Sequence, residues 1–226
     1  MPAAASGSVS WQSAWPSSLR RHSPGGAGGS GLGREAAAGR FWREEHVVTV
    51  FTLDPRSTVA PSQGSGKLAP RPMSLRGQTL GIIANGLGDS EIMFDRLADI
   101  LEESHGLAGR VKVVKASVAV PPYPEQWLEV TDHATVAVTG FGGCGSCSTR
   151  SIRDALDLEA AGIPAVCVVH DALVPAVRAL AQFLGAADYP VVTIGYPHDP
   201  TGHWTKEEAI KIAELVARGV GQRLAQ

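Results

Sequence analysis

The chain has 226 residues, of which 44% are hydrophobic and 19% are charged, and its formal net charge is −2. This composition is typical of a globular protein with one domain or slightly more, and it excludes collagenous, coiled-coil and wholly disordered proteins. The near-neutral charge gives no general attraction to nucleic acid, and no run approaches the ~18 apolar residues of a membrane span. Three cysteines are too few for a disulfide scaffold, so we expect a cytoplasmic protein.

The first 44 residues differ in composition from the rest of the chain. They contain eight Gly, eight Ser and eight Ala, and five Arg against two acidic residues. Because so little apolar surface cannot offset the entropy lost on folding, we predict a disordered tail over 1–44 and a single α/β domain over 45–226. A β-rich run at 47–53 is expected to add a strand to an edge of that domain. Residues 55–77, rich in Pro and Gly, are expected to form an extended connector.

From residue 79 onward, short apolar runs alternate with amphipathic segments, which predicts strands alternating with helices. Strands of this kind form parallel sheets that are covered on both faces. We therefore predict a doubly wound, mostly parallel five-stranded sheet of flavodoxin-like or Rossmann-like order. In chain order, the predicted strands are 79–84, 110–114, 135–138, 165–169 and 191–194, and the predicted helices are 90–104, 125–131, 148–161, 173–184 and 205–224.

The turn after the third predicted strand carries the sequence Cys-Gly-Ser-Cys at 144–147, directly before a helix. The carboxyl ends of parallel strands form the ligand-binding edge of such a sheet. A helix N-terminus lowers the pKa of a cysteine, and the neighbouring glycines expose main-chain N–H groups to which an anion can bind. Redox or nucleophilic chemistry at Cys144 and Cys147 is the leading hypothesis. Metal binding and a plain tight turn are the alternatives.

The other turns of this edge supply candidate partners for the two cysteines. His170 follows the fourth predicted strand and is a candidate general acid or base. Lys115 and Asn85, which follow the second and first strands, are candidates for substrate binding. Cys167 lies inside the fourth strand and is expected to be a core residue. The remaining predicted substrate-binding residues belong to the glycine-rich turn itself: Gly143, Gly145, Ser146, Ser148 and Thr149.

Several segments of the sequence resemble the UGSC family, which is named for a U-G-S-C or C-G-S-C motif in which some members carry selenocysteine. The specific match is the Cys-Gly-Ser-Cys block within 140–148. Cys144 stands where the selenoprotein members have selenocysteine, and Gly143 stands where an Asp is expected. The resemblance implies a soft nucleophile or redox atom at Cys144, with Cys147 as the resolving thiol. The supporting matches are 53–55, 69–72, Leu75, Gly77, Asn85-Gly86, Lys115, Asp154, Glu159 and 162–164.

These residues lead to the hypothesis of a thiol-dependent oxidoreductase. A Cys144 thiolate attacks a small electrophilic or disulfide substrate, and Cys147 resolves the adduct. The resulting disulfide is reduced by an external thiol or a protein reductant. Lys115, with Arg150, is expected to bind a substrate anion, and His170 to carry the proton. We expect no cofactor and no metal, and a homo-oligomer is compatible with the sequence.

Two other classes of function remain open from the sequence. A non-enzymatic α/β module would bind an anion in the glycine-rich turn. A zinc site would combine the two cysteines with a histidine of the neighbouring turns. The histidines considered for that site are His170, His198 and His203.

Overall fold

A computed structural model describes residues 68–225 of the chain. The predicted tail over 1–44, the predicted strand at 47–53 and most of the connector at 55–77 lie outside the described residues. The strands are β1 (Thr79–Ala84), β2 (Gly109–Val114), β3 (Val136–Gly142), β4 (Ala165–His170) and β5 (Val191–Ile194), and the helices are α1 (Ser90–His105), α2 (Pro124–His133), α3 (Gly145–Ala160), α4 (Val174–Phe183) and α5 (Lys206–Leu224).

The five strands form one all-parallel sheet in the order β2-β1-β3-β4-β5. This is the flavodoxin-like order, so the predicted fold class is confirmed. β3 runs four residues beyond its predicted end at 138, because β1 and β4 both continue to pair with it: Ala84 lies beside Gly140, and Val169 beside Gly142. The glycine-rich segment therefore begins inside the sheet rather than after it.

The helices cover both faces of the sheet. α1 and α5 pack on one face, where the core includes Leu80, Ile82 and Phe94. α2, α3 and α4 pack on the other face, where the core includes Ile83 and Ile152. Each of these large side chains contributes about 1.5–3 kcal/mol when it is fully buried. Within residues 68–225, no helix is both long enough and apolar enough to cross a membrane.

The switch between the two faces places a crevice at the carboxyl ends of β1 and β3. The chain leaves β1 toward α1 on one face, and it leaves β3 toward α3 on the other face. In open α/β sheets, ligands bind at such a switch point. The fold therefore places the N-terminus of α3, and with it the cysteine pair, beside this crevice.

An ion pair at the amino ends of the strands, opposite the cysteine pair, holds the start of the described chain in place. The Arg71 guanidinium donates to both carboxylate oxygens of Glu159, at 2.7 and 2.8 Å. The same carboxylate accepts the main-chain N–H groups of Ala69 at 2.7 Å and Ala165 at 2.8 Å. Ala165 is the first residue of β4, so this cluster lies at the amino ends of the strands. Glu159 is therefore structural and lies far from the cysteine edge.

Candidate functional site

The cysteines of the Cys-Gly-Ser-Cys segment are bonded to each other at the start of α3. Their Cα atoms are 5.1 Å apart and their sulfurs form a disulfide. Cys144 is the N-cap residue of α3, and its Sγ accepts the main-chain N–H of Cys147 at 3.2 Å. Cys144 is half-buried, whereas Cys147 is fully buried. A reagent from solution therefore reaches Cys144 first.

Two hydroxyl groups fasten the first turn of α3 around the disulfide. The main-chain N–H and the hydroxyl of Ser148 both donate to the carbonyl oxygen of Cys144, at 2.9 and 2.6 Å. The Thr149 hydroxyl donates to the carbonyl oxygens of Gly145 and Ser146, at 2.9 and 3.1 Å. Gly145 and Ser146 themselves are exposed. Of the residues predicted in this turn to bind substrate, these two present an open surface.

Gly143 lies directly beneath the loop that joins β5 to α5, residues 195–205, called here the β5–α5 loop. A Cβ atom at position 143 would collide with the main-chain carbonyl oxygen of Pro200, and it would lie 2.8 Å from a Leu87 methyl carbon. The Asp expected from the family resemblance therefore has no room here unless the loop moves. Gly143 permits close packing of two main chains, and it places the Pro200 carbonyl next to the cysteine turn.

His170, the candidate general acid or base, is fully buried at the end of β4. Its Nδ1 accepts the main-chain N–H of Ala172 at 3.2 Å, and its Nε2 lies 3.2 Å from the carbonyl oxygen of His198. In this pattern Nδ1 is the acceptor and Nε2 is the donor. Oδ1 of Asp171 also lies 2.9 Å from Nδ1. The contact with the His198 carbonyl fastens the β5–α5 loop to β4. Among the described residues, no hydrogen bond links the ring to either bonded cysteine.

Both the nitrogen and the oxygen of the Asn85 side-chain amide are hydrogen-bonded within the protein. Nδ2 donates to the carbonyl oxygen of Phe141 at 2.8 Å and to the Ser151 hydroxyl at 3.4 Å. Oδ1 accepts the main-chain N–H groups of Leu87 and Phe141, both at 3.1 Å. An amide offers two donor and two acceptor positions, and all four are occupied. The predicted substrate-binding residue Asn85 thus joins β1, β3 and α3 to one another.

Lys115 and Arg150 are bound to acidic side chains of α3. The Lys115 ammonium lies 2.6 Å from Oδ2 of Asp154, and both side chains are at most 1% exposed. Arg150 donates to Oδ1 of Asp154 through Nε at 2.8 Å and to Asp157 at 3.2 Å. Burial lowers the pKa of Lys115 below its ordinary value of 10.5, although the attraction of Asp154 opposes that shift. The two cations predicted to hold a substrate anion are therefore both ion-paired with carboxylates of α3.

Cys167 is a core residue, as predicted. Its thiol is free and fully buried in β4, beside Thr139 of β3. Burial raises the pKa of Cys167 to about 12. The side chain therefore stays a thiol at neutral pH and takes no part in thiolate chemistry.

The histidines of the zinc alternative have partners within the loop region. His198 Nδ1 lies 3.0 Å from a carboxylate oxygen of Glu208, and His203 Nδ1 lies 2.6 Å from the Thr201 hydroxyl. Within the described part of the chain, no three His, Cys, Asp or Glu side chains are grouped so that they could hold a metal ion. The zinc set considered from the sequence is thus not assembled in this arrangement.

Trp204 received no role from the sequence, yet it anchors the β5–α5 loop. Its indole N–H donates to the carbonyl oxygen of Asp199 at 2.9 Å, and its main-chain N–H donates to the Asp89 carboxylate at 3.3 Å. Its ring packs on Phe141, with 5.0 Å between the ring centres. The available signal was a large apolar residue directly before the helix cap Thr205, a position that often packs against the helix it precedes.

Comparison with known proteins places this arrangement in a family. Among solved structures, the chain is similar to a diflavin flavoprotein A3 from Nostoc sp., with 17% sequence identity and a TM-score of 0.38 over 65% of this chain and 93% of that one. No curated protein matches the chain. The model of the UGSC family matches residues 51–226, which include the whole described fold and the cysteine pair. The chain therefore belongs to the UGSC family.

Proposed function

We propose that the protein is a thiol–disulfide oxidoreductase in which Cys144 and Cys147 cycle between dithiol and disulfide. The observation that carries this proposal is the bonded pair at a helix N-terminus, with one sulfur half-buried and the other fully buried. A nucleophile needs access to its substrate, whereas a resolving thiol needs access only to its partner sulfur. The assignment of Cys144 as nucleophile and Cys147 as resolving thiol follows from this difference.

The position of Cys144 favours its thiolate in the reduced protein. An N-cap side chain accepts a main-chain N–H of the first turn, and the helix dipole adds positive potential there. Cys144 Sγ already accepts the Cys147 N–H. Because a charged acceptor forms a stronger hydrogen bond than a neutral one, we expect the pKa of Cys144 to fall below the free value of about 8.5.

The proposed reaction transfers two electrons from the protein dithiol to a substrate disulfide. The Cys144 thiolate attacks one substrate sulfur, so that a mixed disulfide forms and the first substrate thiolate leaves. The Cys147 thiolate then attacks the Cys144 sulfur, and the second substrate thiolate leaves. The product is the Cys144–Cys147 disulfide, which an external dithiol reduces by the reverse exchange. The Cα separation of 5.1 Å allows the resolving step without movement of the main chain.

The remaining predicted site residues take supporting roles in this proposal. Asn85 and Ser148 hold the turn, and His170 holds the β5–α5 loop beside it. Gly145 and Ser146, which are exposed next to Cys144, are the residues we propose to contact substrate.

Alkylation of single-cysteine variants tests the proposal. In Cys147→Ser, the thiol of Cys144 should react with iodoacetamide with an apparent pKa below about 8.5, and a disulfide substrate should leave a mixed disulfide that intact mass detects. Cys144→Ser should form no such adduct, because Cys147 is buried. Cys167→Ala provides the matched control and should retain both behaviours.

Two outcomes would reject the redox mechanism. One is alkylation of both thiols only at alkaline pH. The other is failure of the wild-type protein to form the disulfide under a mild oxidant. Stoichiometric zinc in the purified protein would instead favour the zinc site considered from the sequence.

A further inference from the structure

We infer that the cysteine pair reacts preferentially with neutral or cationic disulfides and discriminates against anionic ones, an inference that rests on the proposed thiol–disulfide chemistry. The first observation is that both cations predicted to bind a substrate anion are paired with carboxylates. Lys115 has no exposed side-chain surface and pairs with Asp154, and Arg150 is divided between Asp154 and Asp157. Both cations are therefore held by carboxylates of α3 and are not free to bind the carboxylate of a substrate.

The second observation is that acidic residues follow both strands that flank β3 and also occur in the loop that contacts Gly143. β3, which leads into this turn, lies between β1 and β4 in the sheet. Asp89 follows β1, Asp171 follows β4, and Asp199 belongs to the β5–α5 loop, which packs on Gly143. The Asp171 side chain is 50% exposed. Hydrogen bonds from Thr201 hold the pKa of Asp199 below its usual range.

The third observation concerns main-chain groups near Cys144. The Pro200 carbonyl oxygen lies against Gly143, one residue before Cys144. The N-terminus of α3 supplies positive potential, but Cys144 Sγ takes up one of its N–H groups. The loop therefore places negative partial charge next to the turn, whereas the positive potential of the α3 N-terminus acts mainly on the Cys144 sulfur. An incoming anion meets repulsion from these groups, and an incoming cation meets attraction.

Three small disulfides of different charge test this inference on the reduced wild-type protein. Cystamine carries two ammonium groups, bis(2-hydroxyethyl) disulfide is neutral, and oxidised glutathione is anionic. The second-order rate constant of each is divided by its rate constant with dithiothreitol, which removes differences in intrinsic reactivity. At low ionic strength, we expect the normalised rate for cystamine to exceed that for oxidised glutathione by about tenfold, with the neutral compound between them. At ~1 M salt, where the screening length is about 3 Å, the ratio should fall toward one.

Charge-removing variants locate the origin of the preference. Asp171→Asn and Asp199→Asn should each lower the ratio of cystamine to glutathione by about twofold at low salt, since each keeps the shape of the side chain. Asp188→Asn is the matched control. It removes one exposed carboxylate between α4 and β5, at the amino ends of the strands, and should leave the ratio unchanged.

The outcomes separate this inference from the proposed function. Equal normalised rates, a preference for oxidised glutathione, or an equal effect of the control variant would overturn the charge preference while leaving the redox chemistry intact. Absence of reaction with all three disulfides would reject the redox chemistry itself.

Discussion

Asn85 binds both main-chain groups of Phe141, donating from Nδ2 to the carbonyl oxygen at 2.8 Å and accepting the N–H on Oδ1 at 3.1 Å. The Asn85 side chain, at the end of β1, thus supplies hydrogen-bond partners to the main chain in the last part of β3, where the pairing of β3 with β4 becomes irregular. Cys144 follows three residues later. The geometry of the cysteine turn therefore depends on one buried amide.

Asn85→Ala should destabilise the protein because it leaves the buried N–H and carbonyl of Phe141 without partners. Each buried unsatisfied group costs about 1–3 kcal/mol, so the free energy of unfolding should fall by about 2–6 kcal/mol. Urea denaturation measures this change. Ser146→Ala, which removes an exposed hydroxyl in the same region, should change the stability by less than about 0.5 kcal/mol. Equal effects of the two substitutions would show that the amide is dispensable.

Asp154→Leu should destabilise the protein by about 3–5 kcal/mol, because it leaves the Lys115 ammonium buried without its carboxylate. The double variant Lys115→Met/Asp154→Leu should recover a large part of that loss, since no uncompensated charge remains at the site. Chemical denaturation of both variants gives the coupling free energy. Simple additivity with Lys115→Met would contradict the pairing of these two residues.

Cys167→Ala should lower the stability by about 1 kcal/mol at pH 7 through the cavity that it leaves, and it should leave the disulfide chemistry intact. The folded protein holds this thiol proton with a pKa of about 12, against an ordinary value of 9.0. Because the folded state then binds more protons than the unfolded state, wild-type stability falls by about 1.4 kcal/mol per pH unit from pH 9 up to 12. The alanine variant lacks this loss.

As the pH rises from 8 to 10, the stability advantage of the wild type over Cys167→Ala should therefore disappear and slightly reverse, because the cavity cost of about 1 kcal/mol is smaller than the ~1.4 kcal/mol that the wild type loses by pH 10. Tyr189, whose pKa is also raised by burial, is present in both proteins and cancels in the comparison. A difference that stays constant over this pH range would show that the thiol is accessible to solvent.

Gly143→Ala should displace the β5–α5 loop, because the new methyl group would meet the carbonyl oxygen of Pro200. We expect a loss of about 1–3 kcal/mol and faster hydrogen exchange over 195–205. Gly145→Ala is the matched control, since no atom lies within 4 Å of its Cβ position. That substitution should be neutral or stabilising by up to about 1 kcal/mol. Unchanged exchange in Gly143→Ala would mean that the loop does not rest on this residue.

The sequence predicted the elements well because apolar periodicity is local. β1 and β5 have the predicted bounds, whereas β3 and α3 differ at the end where they meet. Gly140 and Gly142 indicate a turn when read alone, but neighbouring strands extend the sheet through them. Pairing between strands that are distant in sequence decides this boundary, and periodicity does not report it.

Local sequence likewise predicts some features of the candidate site and not others. The cysteine pair and the buried Cys167 follow from local sequence, and the edge of the sheet on which Asn85 and Lys115 lie follows from their position after a strand. Their partners do not follow, because Asn85 bonds Phe141 across 56 residues and Lys115 bonds Asp154 across 39. A side chain whose hydrogen bonds are all made within the protein has the same sequence signature as one that is free to bind substrate.

Cys144 is both the cap of α3 and the sulfur proposed to react. A thiolate accepts the Cys147 N–H more strongly than a disulfide sulfur does, so reduction strengthens the start of the helix. By thermodynamic linkage, the same free energy raises the reduction potential of the pair, as it does in any disulfide whose reduced form is stabilised. If the proposed redox chemistry holds, one main-chain N–H group sets part of the reduction potential of the pair, and a Cys144 pKa in the reduced protein no lower than the free value of about 8.5 would contradict this.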